Sequence, residues 1–443
     1  MSSTLGNAPL DVVVAEAPLV APLDVVVEDA LLDAAPLDIV AAAEGEVAAA
    51  VVLAVASPEA RWATDLDMDF VSGSMMRNMT KCTPHVHCQS NIFSISDFGA
   101  ISDAQTDSKQ AILNAWNQSC ATNGGTIVVP KGNYLLSDVE LLGPCIGTTK
   151  FVLDGTLIAP EVPTPNIEYW IMFRALDSLS ISGTGTLDGN GASYWKTNNP
   201  DIITHVNDLS ISGIHSVNSK KFHVSIHNCN GVAITNIHAT APADSPNTDG
   251  IHLQASSTIT ISGSSFATGD DCISIGEGVA NVNITEVNCG PGHGISIGSL
   301  GKYPDEKEVS SIRVTNCNFT DTQNGMRIKT FGPSPPGLVS DVSFEGIRVN
   351  NVDNPIIIDQ HYCPHSECDG DSSVSIQGVK FIDVRGTSSA PTGVKILCSR
   401  LQPCKDIELI GVSLTYDGQP TTAICSSVHL NFRGTNQIPS TCS

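Results

Sequence analysis

A short motif recurs through the second half of the chain, and its period leaves few architectures open. An apolar residue, a polar one and a second apolar one stand between Ser, Asn or Gly. From Leu179 onward the second apolar residue falls at Ile181, Ile211, Ile234, Ile261, Ile284, Val314, Phe344, Ile376 and Leu409, at intervals of 23–33 residues. Nine copies at that period, rich in β-branched side chains and without helical periodicity, describe a solenoid of short strands. Leucine-rich repeats compete for that period, but their repeated Leu and Asn positions are missing. The expected fold is all-β, a single parallel β-helix whose coils rise about 4.8 Å each.

A second alternation runs through the same coils: Val224/Ile226, Ile251/Leu253, Ile273/Ile275, Ile295/Ile297, Met326/Ile328 and Ile356/Ile358. With period two, each pair points inward. The residues two before each pair then form a file: Phe222, Asp249, Asp271, His293, Asn324 and Asn354. Asp249, Asp271 and His293 thereby fall on successive coils. Arg327, between Met326 and Ile328, and Lys329 face outward, whereas Gly276 and Gly298 leave the two preceding coils bare. Asp270 joins the same cleft only if Gly269 lets the backbone bend.

Taken singly, Asn247–Gly250 reads as a turn, His293 between two glycines as a turn histidine, and Arg327 with Lys329 as a solvated face. The shared register makes them a site. Three carboxylates this close resist full ionisation, which raises at least one pKa and supplies a general acid. Paired carboxyl groups serve glycoside hydrolysis, and neighbouring cations suit a sugar that carries a carboxylate.

Composition narrows the partner. The net charge of −24 leaves −14 on residues 61–443, because residues 1–60 hold ten acidic residues and no Lys or Arg. An acidic body argues against nucleic acid. No stretch of 18 or more apolar residues appears, so no membrane span is expected. Fourteen cysteines, and N-x-S/T sequons at Asn78, Asn117, Asn283 and Asn318, fit an oxidising, extracellular setting. Residues 1–60 are low in complexity, with APLDVVV at Ala8–Val14 and again at Ala21–Val27. An atypical leader, a pro-segment and a mis-assigned first exon all fit them. Residues 61–90 read as a linker and 91–443 as the catalytic domain. Lys109–Cys120 reads as a helix with Ile112, Ala115, Trp116 and Ser119 on one face, placed to cap the N-terminal end of the solenoid.

NTDG at Asn247–Gly250, GDDC at Gly269–Cys272, GHG at Gly292–Gly294 and RIK at Arg327–Lys329 resemble the polygalacturonase family of glycoside hydrolases. GTLDGNG at Gly185–Gly191 and the segment Phe222–Cys229 are similar to it as well, and the resemblance covers about residues 91–443. It implies a right-handed β-helix and hydrolysis of polygalacturonate (de-esterified pectin) with inversion. It implies Asp270 as general acid, Asp249 and Asp271 holding the attacking water, and His293 sustaining the acid's protonation. Asn247, Arg327, Lys329 and Tyr362 would contact substrate, the two cations through its carboxylates. It implies a Cys272–Cys289 disulfide, and neither metal nor cofactor. Cys398 with Cys404 and Cys425 with Cys442 are expected as local closures. SPPG at Ser334–Gly337 and the run Asn354–Pro364 resemble exo-acting plant members, notably those of pollen. The expected protein is a secreted monomer of the cell wall. The alternatives are an endo-acting polygalacturonase, a calcium-dependent pectate lyase and a non-catalytic pectin-binding wall protein.

Overall fold

In the computed structural model, residues 91–162, 169–195, 203–364, 370–435 and 437–442 are described. The proposed leader and linker lie outside them. From Ile92 to Arg433 the chain winds as a right-handed parallel β-helix, each full coil contributing one strand to each of three faces. One coil shows the plan. Ile251–Gln254 lies on what is here the site face, Ser257–Ser262 on the long face and Ser265–Ala267 on the short face.

Each strand pairs in parallel with its counterpart one coil on, so like stacks on like. On the site face Val224, Ile251, Ile273, Ile295, Met326 and Ile356 are in register, as the second alternation predicts. On the long face Ile181, Ile211, Ile234, Ile261, Ile284, Val314 and Phe344 are in register. The next member of that file is Phe381 rather than the expected Ile376, which pairs with Val339. Strand Val374–Ile382 buries Ile376 and Phe381 alike, with Gly378 at φ +67° between them. The left-handed residue shifts the inward phase, and a fixed apolar–polar–apolar pattern matches both halves. Phe344 and Phe381 stack with ring centres 5.2 Å apart.

The corner from long face to short face is made by one residue per coil in the left-handed region. Gly213, Asn236, Gly263, Glu286, Asn316, Gly346, Asp383 and Gly411 all have φ between +50° and +74°. Gly and Asn reach that region at low cost. The helix spans Lys109–Cys120 as expected, and Ala111, Ile112, Ala115, Trp116 and Ser119 are buried. Trp116 donates its indole N–H to the Leu142 carbonyl (2.9 Å), fixing the helix over the first coils. Disulfides join Cys120–Cys145, Cys272–Cys289, Cys398–Cys404 and Cys425–Cys442. The first of these pairings was not anticipated from the sequence. Among the described residues no helix is long and apolar enough to cross a membrane.

Candidate active site

The residues between the apolar pairs of the site face point out of the coil and form a file of their own: Ser225, His252, Ser274, Ser296 and Arg327. A cleft of about 530 Å³ runs over this file. Asn247, Asp249, Asp270, Asp271, His293, Arg327, Lys329 and Tyr362 all line it, so every proposed catalytic and substrate-binding residue is brought to one place. Gly276 and Gly298 line it too, as the bare strip between the acids and the far rim.

The carboxylates stand in the turns that lead into the strands, which begin at Ile251 and Ile273. Carrying the period-two alternation back into those turns would place Asp271 inside with Ile273. Its carboxylate instead meets the outward file. Oδ1 accepts from Ser296 Oγ and Arg327 Nη2, both at 2.7 Å, and Oδ2 accepts from Lys329 Nζ at 3.0 Å. Arg327 Nε also donates to Ser296 Oγ at 2.8 Å. Asp270 reaches the cleft from the adjacent position, and Gly269 is needed there, though not for a left-handed bend. A Cβ on Gly269 would stand 2.1 Å from the Ser245 carbonyl oxygen, so close backbone approach is what demands glycine. The Gly269 N–H donates to Thr248 Oγ1 at 2.9 Å, tying this turn to the one that carries Asp249.

Asp270 Oδ1 lies 3.0 Å from His293 Nδ1 and accepts the Asp271 amide N–H at 2.8 Å. The His293 amide donates to the Asp270 carbonyl at 2.8 Å. Asp270 is also the accessible member of the acidic trio, its side chain 24% exposed against 2% for Asp271. Burial first, then the charges of Asp270 and Asp271, push the Asp249 carboxyl well above the usual carboxylate range. Burial would also raise Asp271, but Arg327 and Lys329 outweigh it and hold that group below the usual range. Neighbouring acids on adjacent coils are thus driven apart.

Arg327 and Lys329 are expected from the resemblance to bind substrate carboxylates. In the structure both are ion-paired to Asp271, and Lys329 Nζ also lies 5.4 Å from the centre of the Tyr362 ring. Any anion brought to these cations would have to share them with Asp271. Asp270, Asp271 and His293 each offer an atom within 4.8 Å of the others, close enough to hold a metal ion. Two cations already neutralise Asp271, so a third positive charge there is poorly served.

Sequence reasoning missed Ser274, Ser296 and His252. Burial holds His252 near pKa 4, and its Nδ1 pairs with Ser274 Oγ at 2.8 Å while Phe222 stacks on the ring at 4.3 Å. Ser274 in turn favours the ionised form of Asp249, against the effect of burial. All three residues occupy the outward position that singled out Arg327, so applying the same rule to every coil would have found them.

This arrangement has counterparts. The family model described as glycosyl hydrolases family 28 matches residues 120–440. The chain belongs to glycosyl hydrolase family 28. It is 42% identical to an exopolygalacturonase of Platanus acerifolia over 373 residues, covering 80% of this chain and 98% of the relative. It is 41% identical to a polygalacturonase of Nicotiana tabacum, covering 79% and 92%. Among solved structures, the endo-xylogalacturonan hydrolase of Aspergillus tubingensis superposes with a TM-score of 0.67 at 23% identity, covering 80% and 98%, which speaks to the fold alone. As a family 28 member the protein is a glycoside hydrolase of the polygalacturonase type.

Proposed function

We propose that this glycoside hydrolase cleaves the α-1,4 links of polygalacturonate from the non-reducing end, by single displacement with inversion. It does so as a secreted monomer of the cell wall, without a metal or cofactor. The observation that carries the chemistry is the division among three carboxylates in one cleft: one favours its proton, one is held ionised, and one is accessible beside a histidine. That is an acid/base set poised for glycoside hydrolysis. Asp270, half-buried but the most accessible of the three and paired with His293, is the group placed to protonate a leaving oxygen. Asp249 and Asp271 hold and activate water, and Asn247 and Tyr362 contact the sugar.

Two observations press on these roles. The Asp270 and Asp271 carboxylates approach within 4.8 Å, nearer the roughly 5–5.5 Å of retaining enzymes than the roughly 6.5–9.5 Å of inverting ones. Against retention, Asp271 already has donors on both oxygens and makes a poor nucleophile. Proton NMR of the first product decides it, since inversion of an α-link gives the β-anomer. The raised pKa of Asp249 favours a second reading, with Asp249 as the proton donor. A galacturonide with an activated aryl leaving group separates the two, because only loss of the true acid is tolerated on that substrate.

The exo assignment draws on the relative named exopolygalacturonase, and endo action remains the alternative. Incubation with polygalacturonate is the test. Single galacturonate units with slowly falling viscosity support exo action, and early collapse of viscosity with mixed oligomers shows endo action. Unsaturated, calcium-dependent products would mark a lyase, and absence of turnover a binding protein. Free-acid polymer is expected to be preferred over its methyl ester, with the preference shrinking in Lys329→Ala. N-terminal sequencing of secreted protein is expected to begin after about residue 56.

A further inference from the structure

Beyond the bare strip of Gly276 and Gly298, the cleft wall is a loop that the catalytic roles do not use. Strand Ile295–Leu300 starts two residues after His293 and carries the chain across the site face, by at most about 16 Å at ~3.3 Å per residue. There the carboxylate of Glu306 gathers three backbone N–H groups, from Gly301 (2.5 Å), Lys302 (2.8 Å) and Tyr303 (3.0 Å). Gly301 has φ +83°, and a Cβ on it would meet the Ser334 side chain at 2.6 Å, so the loop is built rather than slack. It presents Lys302 and Tyr303 to the cleft, with the Lys302 ammonium 5.2 Å from the Tyr303 ring centre and Tyr303 59% exposed.

The cations of the cleft differ in commitment. Arg327 and Lys329 are bound to Asp271, whereas Lys302 has no carboxylate partner among the described residues. The acids beside it are occupied: Glu306 by the loop, and Glu277 by the Lys307 N–H (3.1 Å) and Gln254 Nε2 (3.4 Å). We propose that Lys302 and Tyr303 form a second galacturonate subsite at the far rim, the ammonium taking a carboxylate and the ring the apolar face of the same sugar. The inference rests on reading the cleft as a polygalacturonate site. It assigns this rim a unit of the polymer other than the one being cut, as every ring of that polymer carries a carboxylate.

The test is equilibrium binding of oligogalacturonates to the Asp270→Asn protein, with and without Lys302→Ala. Affinity for a tetragalacturonate is expected to fall ~3- to 10-fold, the range for a charged contact at a partly exposed site. Digalacturonate is expected to lose less, because it need not reach the rim. Lys302→Arg should restore most of the loss. Lys307→Ala, which removes the same charge from the same loop outside the cleft lining, should change affinity less than about twofold. Equal weakening of both oligomers, or a Lys302→Ala effect no larger than that of Lys307→Ala, overturns the subsite. If the parent protein binds neither oligomer, the reading of the cleft falls and the subsite with it. If it binds both and Lys302→Ala is silent, the subsite alone falls.

Discussion

Asp249 and Asp271 are buried carboxylates one coil apart, yet the fold treats them oppositely. Asp271 is the counter-ion of two buried cations. Replacing it by Asn leaves Arg327 and Lys329 facing each other without compensation, a loss of roughly 3 kcal/mol or more for a broken buried pair. Asp271→Asn is therefore expected to lower the thermal midpoint as well as turnover. Asp270→Asn, at the accessible position, should lower turnover by at least ~10²-fold with a much smaller shift in midpoint; calorimetry beside rate measurements separates the two. For Asp249 the sign reverses. Its folded pKa lies well above the ordinary aspartate value of 3.8, so below that pH both states hold the proton and the group contributes nothing. As pH rises through the window between the unfolded and the raised folded pKa, the unfolded chain ionises first and the native state loses stability. Asp249→Asn should thus be inactive yet more stable than wild type at neutral pH, with the gain vanishing below about pH 3.8. Urea titrations at a series of pH values would show it, and a pH-independent difference would contradict it. The candidate residues were legible because motif and register agreed. The Asp271 clamp was not, because it depends on side-chain direction in a turn, where period two no longer applies.

Among the elements, legibility followed strand length and alternation. The long and site faces were visible because apolar and polar residues alternate along their strands, even where, as at Ser274 and Ser296, the polar one is buried too. The short face was not: its central strands run two to five residues and bury one or two, such as Ala239, Phe266, Cys289 and Phe319. A single buried residue has no period. The corners before those strands were equally silent, since Gly, Asn, Asp and Glu all serve there and no one letter repeats. What they share is a dihedral angle, which makes a specific prediction. Gly411 has φ +65° and nothing within 4 Å of where a Cβ would stand, so substitution there tests conformation without collision. Gly411→Ala should cost about 1 kcal/mol, and Gly411→Asn clearly less, as read from denaturant midpoints. Equal costs would mean the corner is held by its neighbours rather than by its own preference.

At the scale of the whole described body, coils touch only the coils beside them, so stability is close to a sum of nearest-neighbour terms and opening begins at the ends. The helix Lys109–Cys120 covers one end, and the Cys425–Cys442 disulfide straps the other. Asp249, Asp271, His293 and Arg327 stand on four consecutive coils with paired strands on both sides. Hydrogen exchange is therefore expected to be slowest for amides of the site-face strands from Ile251 to Ile328, and faster in the terminal coils. In rising urea, secondary-structure signal should begin to fall before activity does. Coincident loss by both probes would instead show a single all-or-none unit. The solenoid thus keeps its chemistry where it is last to come apart. Activity reports on the innermost coils alone, and a preparation nicked or frayed at either end would still score as fully active.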